Sequence, residues 1–81
     1  MDEVAAFEEF IRHHVAPDPE RDVQRMLLWT EWVRYYLKKN RHFPESVLEK
    51  KFDELILCQF DVAVAFDSFR GPVYVGIKYT A

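Results

Sequence analysis

Residues 62 to 79, VAVAFDSFRGPVYVGIKY, alternate apolar and other side chains with a period of two on both sides of a polar turn. Successive side chains of a β-strand point to opposite faces, so this alternation is typical of two strands. The side chains expected to share a face are Val62, Val64 and Phe66 on the first strand and Val73, Val75, Ile77 and Tyr79 on the second. Residues 67 to 72 supply the turn, and the segment is predicted to be a β-hairpin.

The first helix is predicted between Glu3 and Val15. Its apolar side chains recur at helical spacing: Val4, Phe7, Phe10, Ile11 and Val15. The helix is expected to stop before Ala16-Pro17, because a residue that precedes proline avoids the helical region.

A second helix is predicted to begin at Asp18-Pro19-Glu20 and to run to Lys39. Asp18 is a suitable N-cap, and proline is well tolerated in a first helical turn. The helix has two apolar stripes, one made of Val23, Met26, Leu27, Thr30, Val33 and Leu37, and the other of Leu28, Trp32 and Tyr35. Such a helix is either covered on both sides within the core or presents one stripe to a partner.

A third helix is predicted to follow a turn at Arg41-His42-Phe43, with residues 46 to 49, Ser-Val-Leu-Glu, as a capping box. Its expected core stripe consists of Leu48, Phe52, Leu55 and Ile56. We therefore expect an α+β fold in which three helices precede a C-terminal hairpin, as in a winged helix-turn-helix. No strand is predicted between the early helices, and residues 1 to 81 are expected to form a single domain.

The composition fits a small folded domain, since 49% of the residues are apolar and 16% are aromatic. Cys58 lies within an apolar run and is expected to be a core residue in a reducing compartment. No apolar run approaches the length of a membrane span, and the acidic amino end does not resemble a signal peptide. An intracellular protein is expected, in the cytoplasm or at a nucleoid or replication site.

Several segments resemble the C-terminal domain of primase-helicases of the phage, plasmid and poxvirus type. They are Val4 to Phe10, Pro17 to Glu20, Trp29 to Tyr36, Ser46 to Phe52 with the Phe displaced, and Tyr74-Val75-Gly76-Ile77-Lys78-Tyr79. The resemblance implies a winged-helix domain that is attached to a helicase motor and assists origin or template-strand binding during DNA replication. With Gly71 and Gly76 as its only glycines, the chain has no phosphate-binding loop of the motor type.

The charge distribution points to a basic edge. The net charge is −3, yet residues 34 to 51 carry six bases and two acids. Glu49, Asp53 and Glu54 are expected on the outer face of the third helix. Acids there repel phosphates, so DNA contact is assigned elsewhere. The expected DNA-binding residues are Arg34, Lys38, Lys39, Arg41, Lys50, Phe69, Arg70 and Lys78. Phe69, at the tip of the turn, is expected to stack on a base or enter a minor groove.

No enzymatic activity of the isolated domain is expected, and no catalytic residue, metal ligand, cofactor or small-molecule substrate is assigned. His13 and His14 are adjacent and diverge by about 100° on a helix, which disfavours a shared metal. The alternative to DNA binding is a protein-interaction or dimerisation domain. That role would use Leu28, Trp32 and Tyr35, or the acidic face of the third helix, to bind another replication subunit or a second copy.

Overall fold

The computed structural model describes residues 3 to 47 and 49 to 80, and for residues 49 and 50 the backbone alone. The described helices are α1 (Glu3–His14), α2 (Arg25–Leu37) and α3 (Glu49–Gln59). The described strands are β1 (Val15–Gln24), β2 (Ala63–Asp67) and β3 (Gly71–Tyr79). The fold is α+β as predicted, but the helices do not all precede the strands.

Helix α1 confirms the sequence prediction to within one residue at its end. Phe7, Phe10 and Ile11 lie on its buried face, as their spacing predicts. Its last residue is joined to the end of β3, because the backbone N–H of Thr80 donates to the carbonyl of His14 over 2.7 Å. The helix is therefore held against the sheet at its carboxyl end.

The largest correction concerns residues 15 to 24, which form strand β1, because residues 18 to 24 were predicted to begin the second helix. Asp18 does cap the backbone locally, because its side chain accepts the N–H of Glu20 over 3.0 Å. It closes an isolated turn, and the helix begins only at Arg25. β1 is an edge strand, a place in a sheet where residues such as Pro17 and Pro19 are tolerated.

The three described strands are antiparallel and lie in the order β1-β3-β2, so that β3 is central. Residues 15 to 17 pair with 77 to 79, and residues 22 to 24 pair with 73 to 75. The four intervening residues of β1 have no partner and bulge out of register opposite Gly76. The hairpin of β2 and β3 confirms the sequence prediction, but its predicted faces are wrong. Val64 and Phe66 lie opposite Tyr74 and Pro72, whereas Val73 and Val75 lie opposite Ala65 and Ala63.

The alternation along β3 changes phase at Gly76, which the simple period of two did not predict. Tyr74 and Ile77 are both fully buried although they are three residues apart, and Val75 is 38% exposed. Gly76 has a φ of +113°, a conformation that side-chain-bearing residues rarely adopt. This backbone kink turns both Tyr74 and Ile77 toward the core.

Helix α2 has one buried stripe, formed by Leu28, Trp32 and Tyr36 at a spacing of four residues. The indole N–H of Trp32 donates to the carbonyl of Val47 over 3.2 Å, which satisfies a polar group inside the core. The ring of Phe7 meets Trp32 edge-on at a centroid distance of 5.2 Å. Aromatic packing between α1 and α2 is therefore at the centre of the molecule.

The connection between α2 and α3 corrects the predicted capping box. Ser46 was expected to cap the third helix, but Val47 is not helical and α3 begins at Glu49. The backbone N–H groups of Glu45, Ser46 and Val47 instead donate to the carboxylate of Glu3 in the first turn of α1. Leu48, expected in the core stripe, lies outside the described residues.

Within α3, Phe52 and Ile56 are fully buried as predicted. Cys58 is exposed, which corrects its expected core position. It lies two residues beyond Ile56 and is rotated about 200° away from that buried side chain on the helix. The apolar run that contains Cys58 thus passes around the helix and does not follow its core face.

Candidate nucleic-acid interface

The hairpin turn between β2 and β3 is held in one shape by the side chain of Asp67. Its Oδ1 atom accepts the backbone N–H of Phe69 over 2.8 Å and that of Arg70 over 3.0 Å. The two hydrogen bonds lower the pKa of Asp67 below its usual value. The Phe69 side chain, at the tip of this turn, is 98% exposed. A rigid turn therefore presents an aromatic ring to solvent.

Arg70 connects the hairpin to β1. Its guanidinium makes a two-pronged contact with the carboxylate of Asp22, over 2.7 and 2.9 Å, and reaches Asp67 over 3.3 Å. Hydrogen bonding to Arg70 lowers the pKa of Asp22. Arg70 was predicted as a free cation for phosphate, but two carboxylates offset its charge.

Two further predicted cations are also paired. Arg34 contacts Glu31 over 3.2 Å on α2, and Lys39 contacts Glu9 of α1 over 3.7 Å. Lys39 also donates to the Tyr35 hydroxyl over 3.3 Å, and this hydrogen bond raises its pKa. Arg34 thus pairs within α2, whereas Lys39, which lies beyond the end of that helix, pairs with α1. The predicted basic edge is therefore not one continuous surface of unpaired cations.

The remaining predicted cations are Lys38, Arg41, Lys50 and Lys78. Lys38, Arg41 and Lys78 are exposed and have no ion pair with any residue that the structure describes. The side chain of Lys50 lies outside the described part of the chain. Of the predicted cations whose side chains are described, the unpaired ones therefore lie beyond the end of α2 and near the end of β3.

The residues expected for partner binding are placed differently by the structure. Leu28 and Trp32 are fully buried, so neither is accessible to a partner in the folded domain. Tyr35 is half-buried, with its ring 5.3 Å from that of Phe10. The stripe that continues through Leu28 and Trp32 is the core face of α2, where Trp32 packs edge-on against Phe7 of α1. The opposite stripe leaves Met26 and Leu37 exposed.

The expected acidic face of the third helix is also changed. Asp53 accepts the hydroxyl of Tyr74 over 2.6 Å and contacts Arg25 over 3.4 Å. It thus faces β3 and α2, where the sequence analysis placed it outward. Glu54 is exposed as expected. The outward negative charge of this helix is smaller than predicted.

A pocket of about 260 Å³ lies between residues 21 to 24 of β1, Leu27 of α2, Arg70, Lys78 and Tyr79. It brings together three cationic side chains that are far apart in sequence: Arg21, Arg70 and Lys78. Arg21 was not among the predicted cations, because it falls in the segment that was predicted to begin the second helix and that forms β1. The alternation that would have revealed β1 is interrupted by its bulge, so the sequence carries little signal for this pocket.

Among the described residues, no group of three or more His, Cys, Asp or Glu is arranged to hold a metal ion. No helix in that part of the chain has the length and apolarity needed to cross a membrane. No protein-family model, curated protein or solved structure matches the chain.

Proposed function

We propose that this chain is a nucleic-acid-binding domain of the winged-helix type, from a replication protein of the primase-helicase kind. It binds through the hairpin and through phosphate contacts made by exposed cations. The observation that carries the proposal is Phe69, whose side chain is almost fully exposed at the tip of a turn held by Asp67. Aromatic rings displayed in this way stack on nucleic-acid bases without strong sequence preference.

The arrangement of the sheet supports the winged-helix part of the proposal. β1 lies between α1 and α2 and pairs with the hairpin, a position in which such folds often have a short strand. The end of α2 at Leu37 and the start of α3 at Glu49 are farther apart in sequence than the three- or four-residue turn of a helix-turn-helix allows. For this reason we assign binding to the hairpin and not to insertion of α3 into a major groove.

The charges support weak, salt-sensitive binding. Lys38, Arg41 and Lys78 are the predicted cations that face solvent without a carboxylate partner among the described residues. A set of about three phosphate contacts lowers the affinity by about two powers of ten for single-stranded and roughly three for duplex DNA per tenfold increase in salt concentration. Base stacking by Phe69 adds a contribution that salt affects less.

The test is a fluorescence anisotropy titration with a labelled single-stranded oligonucleotide and its duplex at several salt concentrations. Phe69→Ala is expected to weaken single-strand binding about tenfold or more. Phe43→Ala is the matched control, because Phe43 is also exposed, at 66%, but lies in the connection between α2 and α3. Absence of binding at low salt, or an equal loss in both variants, would reject the proposal.

Protein interaction remains a second candidate function, now on a different surface. Met26, Leu27 and Leu37 are large apolar side chains exposed on the outer face of α2. Exposed apolar groups of this kind occur at protein interfaces. Light scattering separates the two candidates: a monomer that binds oligonucleotide supports the first, and a dimer that ignores oligonucleotide supports the second.

A further inference from the structure

We propose that the pocket between β1, α2 and the ends of β3 binds a phosphate group through Arg21 and Lys78. Under the function proposed above, this group is a backbone phosphate of the bound nucleic acid, and in that respect the inference rests on that function. Phosphate binding by Arg21 and Lys78 can also be tested without nucleic acid.

The first support is the charge of the pocket. Three cationic side chains line it, and Asp22 is the one carboxylate among its lining residues. That carboxylate is already engaged by the guanidinium of Arg70 over 2.7 and 2.9 Å. Arg21 and Lys78 have no ion pair with any described residue. No carboxylate that lines the pocket is therefore left to pair with these two cations.

The second support is that the Arg70 side of the pocket is held in place by contacts within the protein. Arg70 is fixed by Asp22 and Asp67, and its carbonyl accepts the side-chain amide of Gln24 over 2.7 Å. These contacts hold the hairpin turn against β1 before any ligand arrives. Binding to a preformed wall costs less conformational entropy than ordering a loose one.

The third support is the chemistry of the two cations and of their surroundings. Arginine and lysine both form charge-assisted hydrogen bonds with phosphate oxygens, and arginine does so with two prongs. Val23, Leu27 and Tyr79 provide apolar surface beside them. The first turn of α2 adjoins the pocket and contains no acidic residue. The amino end of this helix therefore adds positive electrostatic potential to that of the two cations.

The test is an NMR titration of the isotope-labelled domain with inorganic phosphate, followed by a nucleoside monophosphate and a single-stranded oligonucleotide. The expected result is a saturable shift of the backbone amide signals of Gln24, Leu27 and Lys78. The variant Arg21→Gln with Lys78→Gln is expected to weaken this phosphate binding about tenfold. Lys51→Gln is the matched control, because Lys51 is exposed on α3 and does not line the pocket.

The wild-type titration does not depend on whether the variants fold. The inference is overturned if phosphate produces no saturable shift, if the shifts are as large around Lys51, or if the folded double variant binds as tightly as wild type. The three ligands separate the sources of the group. An equal response to the nucleoside monophosphate and to the oligonucleotide indicates a free-phosphate site, and a much tighter response to the oligonucleotide indicates a backbone phosphate.

Failure of this inference differs from failure of the proposed function. If phosphate binds in the pocket and no oligonucleotide binds, the phosphate site is confirmed and nucleic-acid binding is rejected. If the oligonucleotide binds, Phe69→Ala weakens it and the double variant does not, nucleic-acid binding stands and the pocket is rejected.

Discussion

The carboxylate of Glu3 accepts a hydrogen bond from the backbone N–H of Val47, 44 residues away in the sequence. The same carboxylate accepts the N–H groups of Glu45 and Ser46. The carbonyl of Val47 in turn receives the indole N–H of Trp32. One side chain of α1 and one of α2 thus satisfy the backbone of the connection that leads into α3.

Replacement of Glu3 with Gln is expected to lower the free energy of unfolding by about 1 to 3 kcal/mol, because hydrogen bonds to an ionised group contribute that much. Urea denaturation followed by tryptophan fluorescence measures the change. Glu8→Gln is the control, since Glu8 is exposed on the same helix. Equal stability of the two variants would show that the contacts of Glu3 contribute nothing.

The stabilisation by Glu3 is expected to depend on pH. Burial raises the pKa of Glu3, but its three backbone hydrogen bonds outweigh burial and lower the pKa below the ordinary value of 4.5. A depressed folded pKa gives stability that is complete above the unfolded pKa and is lost as pH falls through the folded one. The stability difference between wild type and Glu3→Gln should therefore shrink between about pH 6 and about pH 3. A difference that grows on acidification would contradict the assignment.

Trp32→Phe is expected to destabilise the domain by about 2 to 4 kcal/mol, because it leaves a buried cavity and removes the donor to Val47. Trp29→Phe serves as the comparison, since Trp29 is half-buried at the edge of the same core. Chemical denaturation of both variants measures the effect. The ranking is contradicted if the Trp29 variant loses as much stability as the Trp32 variant.

The two glycines of the hairpin are expected to differ in their tolerance of a side chain. A Cβ at Gly76 would lie 3.3 Å from the carbonyl oxygen of Asp61, at a φ of +113°. A Cβ at Gly71 would meet nothing within 4 Å, at a φ of +76°. Gly76→Ala should therefore cost about 1 to 3 kcal/mol, and Gly71→Asn less, because asparagine tolerates left-handed backbone. Thermal unfolding of the pair provides the measurement, and a larger loss at Gly71 would refute the expectation.

The elements that local pattern determines were predictable from the sequence. The apolar spacing of Phe7, Phe10 and Ile11 predicted α1, and the alternation on both sides of residues 67 to 72 predicted the hairpin. β1 was missed because Asp18-Pro19-Glu20 has the composition of a helix start and does form a capped turn. Its identity as a strand comes from pairing with β3, 49 to 64 residues later, which a local pattern does not contain.

The sequence predicted which types of residue the candidate site contains better than it predicted how they are arranged. The exposed tip residue Phe69 follows from an apolar side chain in a polar turn, and the structure places it as expected. The ion pairs of Arg70 with Asp22 and of Lys39 with Glu9 join distant segments, and they removed cations from the predicted edge. Arg21 was overlooked for the same reason, since only the fold brings it near Lys78.

The most direct test of nucleic-acid binding by the hairpin is an NMR map of the domain with a single-stranded oligonucleotide at low salt. The expected result is that the largest amide shifts fall on Phe69, Arg70 and Lys78, with small changes along α3. Shifts confined to the outer face of α3, or no shifts at millimolar oligonucleotide, would contradict the assignment of binding to the hairpin.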